Sequence, residues 1–203
     1  HRRKSCSVGL AVSTGRVSRS ASLAAALACG LVLACPAQAE DEPERVTGVI
    51  TGVLDGDTLR VQLRSGPTVG RLAYVDAPEM RQPDGSEAAR ALYAKLPGAR
   101  VKLEVISKDA SGWMTAVVYD GDENINAWVV KEGHAWVDRA QATDPSYCLL
   151  ENAARSVKRG LWSYEEWLAP WEYREGGKGK AMRYTDYRKA DAASCMAELK
   201  PKP

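Results

Sequence analysis

Asp57, Asp76 and Glu79 stand within a stretch of 23 residues, with Arg71 between them. They lie in Leu54-Asp55-Gly56-Asp57-Thr58-Leu59-Arg60-Val61 and in Arg71-Leu72-Ala73-Tyr74-Val75-Asp76-Ala77-Pro78-Glu79, each of which reads as strand flanked by turn. Clustered hard oxygens suit a calcium ion, and an arginine suits a phosphate. A metal, a carboxylate base and a guanidinium are what phosphodiester hydrolysis needs. Asp57 and Asp76, with the Ala77 carbonyl and water, would make an oxygen-rich cation site. A plainer use of the same residues stands beside this one. Aspartate is a common turn residue, so Asp55 and Asp57 could simply serve an Asp-Gly turn, with Asp76 ahead of a turn proline.

The elements around these residues must bring them together. Val46 to Val53 is rich in β-formers, Asp55-Gly56 signals a turn, and Thr58 to Leu63 alternates, so a hairpin is predicted. Thr68 to Val75 gives a third strand, Val101 to Val105 a fourth and Met114 to Tyr119 a fifth. Ala89, Leu92, Tyr93 and Leu96 share one face of a helix over 86–96, capped by Ser86 and stopped by Pro97-Gly98. A second helix is predicted over 124–132. A third is predicted over 145–159, with Thr143 or Asp144 as cap and Gly160 after its end. Arg155, Lys158 and Arg159 read as a complement to that helix dipole on a solvated face. Trp162, Trp167 and Trp171 read as packing onto the domain, a base-stacking platform being the alternative. The fold class is mainly β with α: a five-stranded OB-type barrel with three helices.

Composition places limits on function. Residues 1–39 carry Arg2, Arg3, Lys4, Arg16 and Arg19 and no acid, then an apolar run from Leu23 to Ala34, then the small-residue site Ala37-Gln38-Ala39. That order is a signal peptide, and the run is too short to span a membrane. Cys35 in Val32-Leu33-Ala34-Cys35 offers lipid anchoring as the lesser alternative. Domain 40–175 and a flexible polar tail over 176–203 complete the expected organisation, an exported monomer that is periplasmic or secreted. The whole chain has 28 basic and 26 acidic residues. Without the five leader cations, 23 basic face 26 acidic, net −3. No global positive field draws in nucleic acid, so such contacts must be local and salt-sensitive. Of five cysteines, Cys6, Cys29 and Cys35 fall in the leader. Cys148 and Cys195 remain, able to form one disulfide in an oxidising compartment or to stay as two thiols.

The order Gly-Asp-Thr-Leu, Arg-Leu-x-x-Val-Asp-Ala-Pro-Glu and Gln82-Pro83-x-Gly85-x-Glu87-Ala88 resembles the thermonuclease family, the staphylococcal nuclease-like domains. The likeness continues through Val118-Tyr119-x-Gly121, Ile125-Asn126, Glu132-Gly133-His134-Ala135-Trp136-Val137 and Arg159-Gly160-Leu161-Trp162-Ser163. Pro170-Trp171-Glu172-Tyr173-Arg174 looks like the tail of exported bacterial members. The resemblance covers about residues 46–174. It implies Ca²⁺-dependent cleavage of DNA and RNA, with single-stranded nucleic acid as substrate. Asp57, Asp76 and the Ala77 carbonyl would hold calcium. Glu79 would activate water, and Arg71 would bind the phosphate.

The chain also departs from the family pattern. Where the family loop runs Asp-x-Tyr-Gly-Arg, this chain has Asp109-Ala110-Ser111-Gly112-Trp113. A neutral indole cannot stabilise an oxyanion, and loss of one charged donor costs about two to three decades in rate. Gly70 stands where the family usually has valine, and Asp138, after Trp136-Val137, where it often has tyrosine. Asp138 would repel phosphate. Arg81 and Lys108 are nearby cations but read as solvated, and His134 reads as packing. Two functions follow: a weakened nuclease, or a nuclease-like domain turned into a binding module.

Overall fold

A computed structural model describes residues 42–176 and 187–201. The chain divides between Glu40 and Asp41, and the leader with Cys6, Cys29 and Cys35 lies outside the described residues. In chain order the strands before the first helix are β1 (Glu44–Val53), β2 (Thr58–Leu63), β3 (Gly66–Leu72) and the two-residue β4 (Val75–Asp76). After α1 (Gly85–Lys95) come β5 (Arg100–Lys108), β6 (Met114–Asp120), β7 (Glu123–Asn124), α2 (Ile125–Lys131) and β8 (Trp136–Val137). Then follow α3 (Ser146–Ser156), a 3₁₀ turn (Gly160–Ser163), α4 (Pro170–Gly176), a second 3₁₀ turn (Tyr187–Lys189) and α5 (Ala192–Glu198).

Five strands close into a barrel. β1 pairs antiparallel with β2 and β5, β2 with β3, and β5 with β6. β6 returns to β3 in parallel, with Gly70 opposite Met114 and Arg71 opposite Thr115. Alternation along these strands sends Leu59, Val61, Leu72, Val101, Leu103, Met114, Ala116 and Val118 inward, each essentially out of water. Leu92 of α1 and Ile125 and Val129 of α2 complete the same core. Buried Asn126 holds the barrel to its cover. Its Nδ2 donates to the carbonyls of Ala73 and Ala116, and its Oδ1 accepts from the Val118 N–H.

The described residues contain five α-helices, where the sequence suggests three. α4 and α5, of seven residues each, fall in a tryptophan-rich run read as packing and in a polar tail read as flexible. The third strand stops at Leu72, because Tyr74 takes a left-handed backbone (φ +69°), and the chain restarts as β4. Ser86 lies inside α1 and does not cap it; Asp84, at the N-cap position, makes no side-chain cap bond either. Asp144 does receive an N–H, from Ser146 at 2.8 Å, and Asn124 caps α2 through the Ala127 N–H.

Arg155 is not on a solvated face. Its guanidinium lies 4.0 Å from the centre of the Trp162 ring and 2.8 Å from Glu151 Oε1. Glu151, itself buried, also takes Arg139 at 2.9 Å and the Val137 N–H at 2.8 Å. The tryptophans pack. Trp136 and Trp162 meet edge-on at 4.6 Å, and Trp171 meets Trp136 at 5.7 Å. The C-terminal tail, expected to be flexible, is held in its described part, 187–201. Asp191 and Ser194 form a reciprocal cap for α5, and Cys195 is bonded to Cys148 of α3 with a Cα separation of 5.7 Å. Residues 177–186 lie outside the described residues. Among the described residues no helix is long and apolar enough to cross a membrane.

Candidate active site

The turn between β1 and β2 is wound by its own backbone. Leu54 N–H donates to the Thr58 carbonyl at 2.8 Å, and the Asp55 carboxylate accepts the Asp57 N–H at 3.0 Å. Gly56 is required there. A methyl group at its Cα would lie 2.6 Å from the Ala77 side chain and 2.8 Å from that of Ala88. The turn therefore presses directly on the Asp76 loop and on α1, and Asp57 is carried inward to 4% exposure. The Ala77 N–H donates to its Oδ2 at 3.0 Å, and the Thr58 hydroxyl to its Oδ1 at 2.8 Å.

Arg71 faces Thr58 across the β2–β3 ladder, and its guanidinium reaches back over the carboxylates. Its Nη2 lies 3.5 Å from Asp57 Oδ2 and 3.4 Å from Asp76 Oδ1. Half of the Arg71 side chain remains open to solvent. Asp76 is fixed by the β4–β8 pairing, opposite Trp136. Glu79 is fixed by Gln82, which accepts the Glu79 N–H at 2.8 Å and donates to the Leu168 carbonyl at 3.0 Å. All four predicted residues line one pocket of about 320 Å³, together with Ala77 and Trp113.

Burial pushes the Asp57 carboxyl up from 3.8 to about 6, outweighing the lowering effect of Arg71; the neighbouring charge of Asp55 adds to the rise. Asp57 is thus a carboxylate short of positive charge. Among the described residues no three His, Cys, Asp or Glu side chains gather as a metal cluster. The available donors are two buried carboxylates, Asp57 and Asp76. That set fits a hard cation that keeps much of its water. It fits only if Asp76 yields an oxygen now engaged elsewhere, by Arg174.

Arg174 is the residue the sequence reading missed as a site component. It comes from α4, 98 residues beyond Asp76. Its Nη2 donates to Asp76 Oδ2 at 2.6 Å, and its Nη1 donates to Asp76 Oδ1 at 3.0 Å and to Glu79 Oε1 at 2.9 Å. The bond to Asp76, with the further bond to Glu79, raises the Arg174 guanidinium above its ordinary range. The only signal in the sequence was the Pro170–Arg174 segment, read as a tail motif. The other cations considered stay away from the pocket. Lys108 pairs with Glu44 at 2.7 Å, and Arg81 is exposed.

Trp113 sits at the pocket mouth, 52% exposed, on a loop whose Ser111 and Trp113 N–H groups both donate to Asp109. It also lines a second groove with Thr51, Arg60 and Thr68. Asp138 is outside the pocket of Asp57 and Asp76; its carboxylate binds Gln141 and the Ala140 N–H, forming the turn after β8. His134 packs beside Trp128, with Nδ1 3.5 Å from Asp84 Oδ2, also outside the pocket.

The chain is similar to known proteins. The family described as "Staphylococcal nuclease homologue" matches residues 70–164. An "Uncharacterized endonuclease" of Escherichia coli O157:H7 is 36% identical over 130 residues, covering 64% of this chain and 85% of the relative. "Protein ParB" of Escherichia coli is 36% identical, with 74% and 88% covered. "Micrococcal nuclease" of Shigella flexneri is 34% identical, with 76% and 92% covered. The chain belongs to the staphylococcal nuclease homologue family and, with it, to the nuclease class of hydrolases.

Proposed function

We propose that this chain hydrolyses phosphodiester bonds in single-stranded DNA or RNA, with calcium as its metal. The observation that carries this is the convergence of Asp57, Asp76, Glu79 and Arg71 on one open pocket, with the Asp57 carboxylate left short of positive charge by burial. Asp57 and Asp76 would hold the ion, with the Ala77 carbonyl as the third protein ligand. When bound, the ion supplies Lewis-acid neutralisation of the phosphate.

The remaining chemistry belongs to side chains of the chain. Arg71, half exposed above the carboxylates, pairs with a non-bridging phosphate oxygen and strengthens that bond as negative charge grows there. Glu79 accepts a proton from the attacking water. The water oxygen bonds to phosphorus, one P–O ester bond breaks, and the departing oxygen takes up a proton. The exposed indole of Trp113 gives an unstacked base a face to lie on, which favours single strands over duplex. Being neutral, it adds no charge at the phosphate, and by itself that deficit costs about two to three decades in rate.

The setting we infer is outside the cytoplasm, as a monomer. The leader pattern of residues 1–39 and the Cys148–Cys195 bond support export. The test is cleavage of a single-stranded oligonucleotide by residues 40–203 with calcium and with chelator. Chelator-sensitive cleavage that is lost in Asp57→Ala is the expected result. Absence of cleavage at micromolar protein with calcium would overturn the reading.

A further inference from the structure

Building on the nuclease reading above, we propose that Arg174 is a second phosphate-binding guanidinium of the active site, supplied by α4 in the role that Trp113 cannot fill. Both guanidinium groups meet on one carboxylate. Arg71 Nη2 lies 3.4 Å from Asp76 Oδ1, and Arg174 Nη1 donates to that same oxygen at 3.0 Å. Two cations within reach of a single side chain can also reach two oxygens of a single phosphate. Four carboxylates line the pocket, Asp55, Asp57, Asp76 and Glu79, and with Arg71 alone they would give it a net charge of −3, which repels a phosphodiester. With Arg174 the net charge is −2, which a divalent ion brings to zero, so that the repulsion is removed.

Arg174 also has donors to spare. A guanidinium has five N–H groups, and the contacts to Asp76 and Glu79 use three. Its side chain is 38% exposed and lines both the catalytic pocket and an adjoining cavity of about 510 Å³. It is aimed from both sides. Gln82 ties the Glu79 loop to Leu168 just before α4, and Trp171 packs edge-on against Trp136, the partner of Asp76 across β4–β8. Such anchoring fixes the donor before substrate arrives, which is what transition-state stabilisation requires. The contact with Glu79 gives Arg174 a positioning role as well, since it orients the carboxylate that takes the proton from water.

The same bonds would also suit a plug that merely occupies the carboxylates, and that role has the opposite consequence. The experiment measures binding of a fluorescent single-stranded 10-mer, in chelator and over a range of salt, by anisotropy. Calcium affinity and cleavage are measured beside it. The proteins are the parent, Arg174→Ala and Arg174→Lys, each shown to be folded by urea titration. Arg174→Ala is expected to weaken 10-mer binding at least about tenfold and to lower the log–log salt slope by about 0.7, one phosphate contact on a single strand. Arg174→Lys, which keeps charge but not the fork, should fall between. In calcium, Arg174→Ala should cleave about two to three decades more slowly. Adding Trp113→Arg to that variant should recover at least tenfold, which no purely structural role of Arg174 would allow. Unchanged 10-mer binding overturns the proposal, as does tighter calcium binding with faster cleavage, the mark of a plug. If the parent never cleaves while Arg174→Ala still loses 10-mer binding, the nuclease reading fails and the phosphate contact stands. If the parent cleaves and Arg174→Ala matches it, the phosphate contact alone fails.

Discussion

Replacing Asp57 by asparagine should stabilise this protein at neutral pH in chelator, although it leaves Arg71 with one carboxylate neighbour, Asp76, in place of two. Asp57 binds its proton more tightly in the folded chain, near pH 6, than in the unfolded chain, near 3.8. Below about pH 3.8 both states are protonated and the group is neutral to stability. Between there and pH 6 the unfolded state ionises first, so stability falls as pH rises, and above pH 6 the full cost is present. The difference between 3.8 and about 6 corresponds to roughly 3 kcal/mol. Asparagine keeps most of the contacts. Its Oδ1 can accept the Ala77 N–H, and its Nδ2 then meets the Thr58 hydroxyl, which can turn to accept. Allowing for imperfect geometry, Asp57→Asn should gain about 1–3 kcal/mol at pH 7 and almost nothing at pH 3.5. For a domain of this size 1 kcal/mol is about 2–4 °C in Tm. Urea unfolding of both proteins from pH 3.5 to 8 reads this out. Calcium should narrow the gap by stabilising the parent alone, in proportion to RT ln(1 + [Ca²⁺]/Kd). A gap that does not change with pH, or an asparagine variant less stable at pH 7, would refute the argument that desolvation dominates at this carboxylate.

Three further outcomes are expected. Trp113→Ala should weaken binding of a single-stranded oligonucleotide by about tenfold, within the 1–3 kcal/mol typical of one base stacked on an aromatic ring, and leave duplex binding unchanged; anisotropy on both forms decides it. Gly56→Ala should cost about 1–3 kcal/mol through overpacking against Ala77 and Ala88 and lower cleavage by displacing Asp57, seen as a paired loss in urea unfolding and in rate. Reducing the Cys148–Cys195 bond, which spans 47 residues, should cost about 2–4 kcal/mol, measured by urea unfolding with and without reductant; equal midpoints would deny the bond any stabilising role.

Much of the site was legible in the chain because it depends on local chemistry. Asp57 follows an Asp-Gly turn, Arg71 lies on an alternating strand, and Asp76 and Glu79 flank a turn proline, so one hairpin and the next strand suffice to bring them together. The barrel was legible for the same reason: period-two alternation over β1, β2, β5 and β6 marks an inner face. Of the seven-residue helices, α2 was legible and α4 and α5 were not, since α4 lies in a tryptophan-rich run read as packing and α5 in a polar tail. Arg155 was misread because a cation near a helix end suits the dipole in sequence. In space its surroundings are the rings of Trp136 and Trp162 and the carboxylate of Glu151.

What the sequence determined by itself was therefore the chemistry of the carboxylate half of the site and the strands that carry it. Tertiary structure alone decided which cations share the pocket. Lys108 and Arg81 are near in sequence, yet β5 and the Glu79 loop point them away, to Glu44 and to solvent. Arg174 is 98 residues from Asp76 and arrives because Trp171 must bury against Trp136 while Gln82 holds Leu168. Charge pairing falls off with distance through space and takes no account of separation along the chain. Only the packing of α4 could therefore place a second guanidinium on a carboxylate that the first already shares.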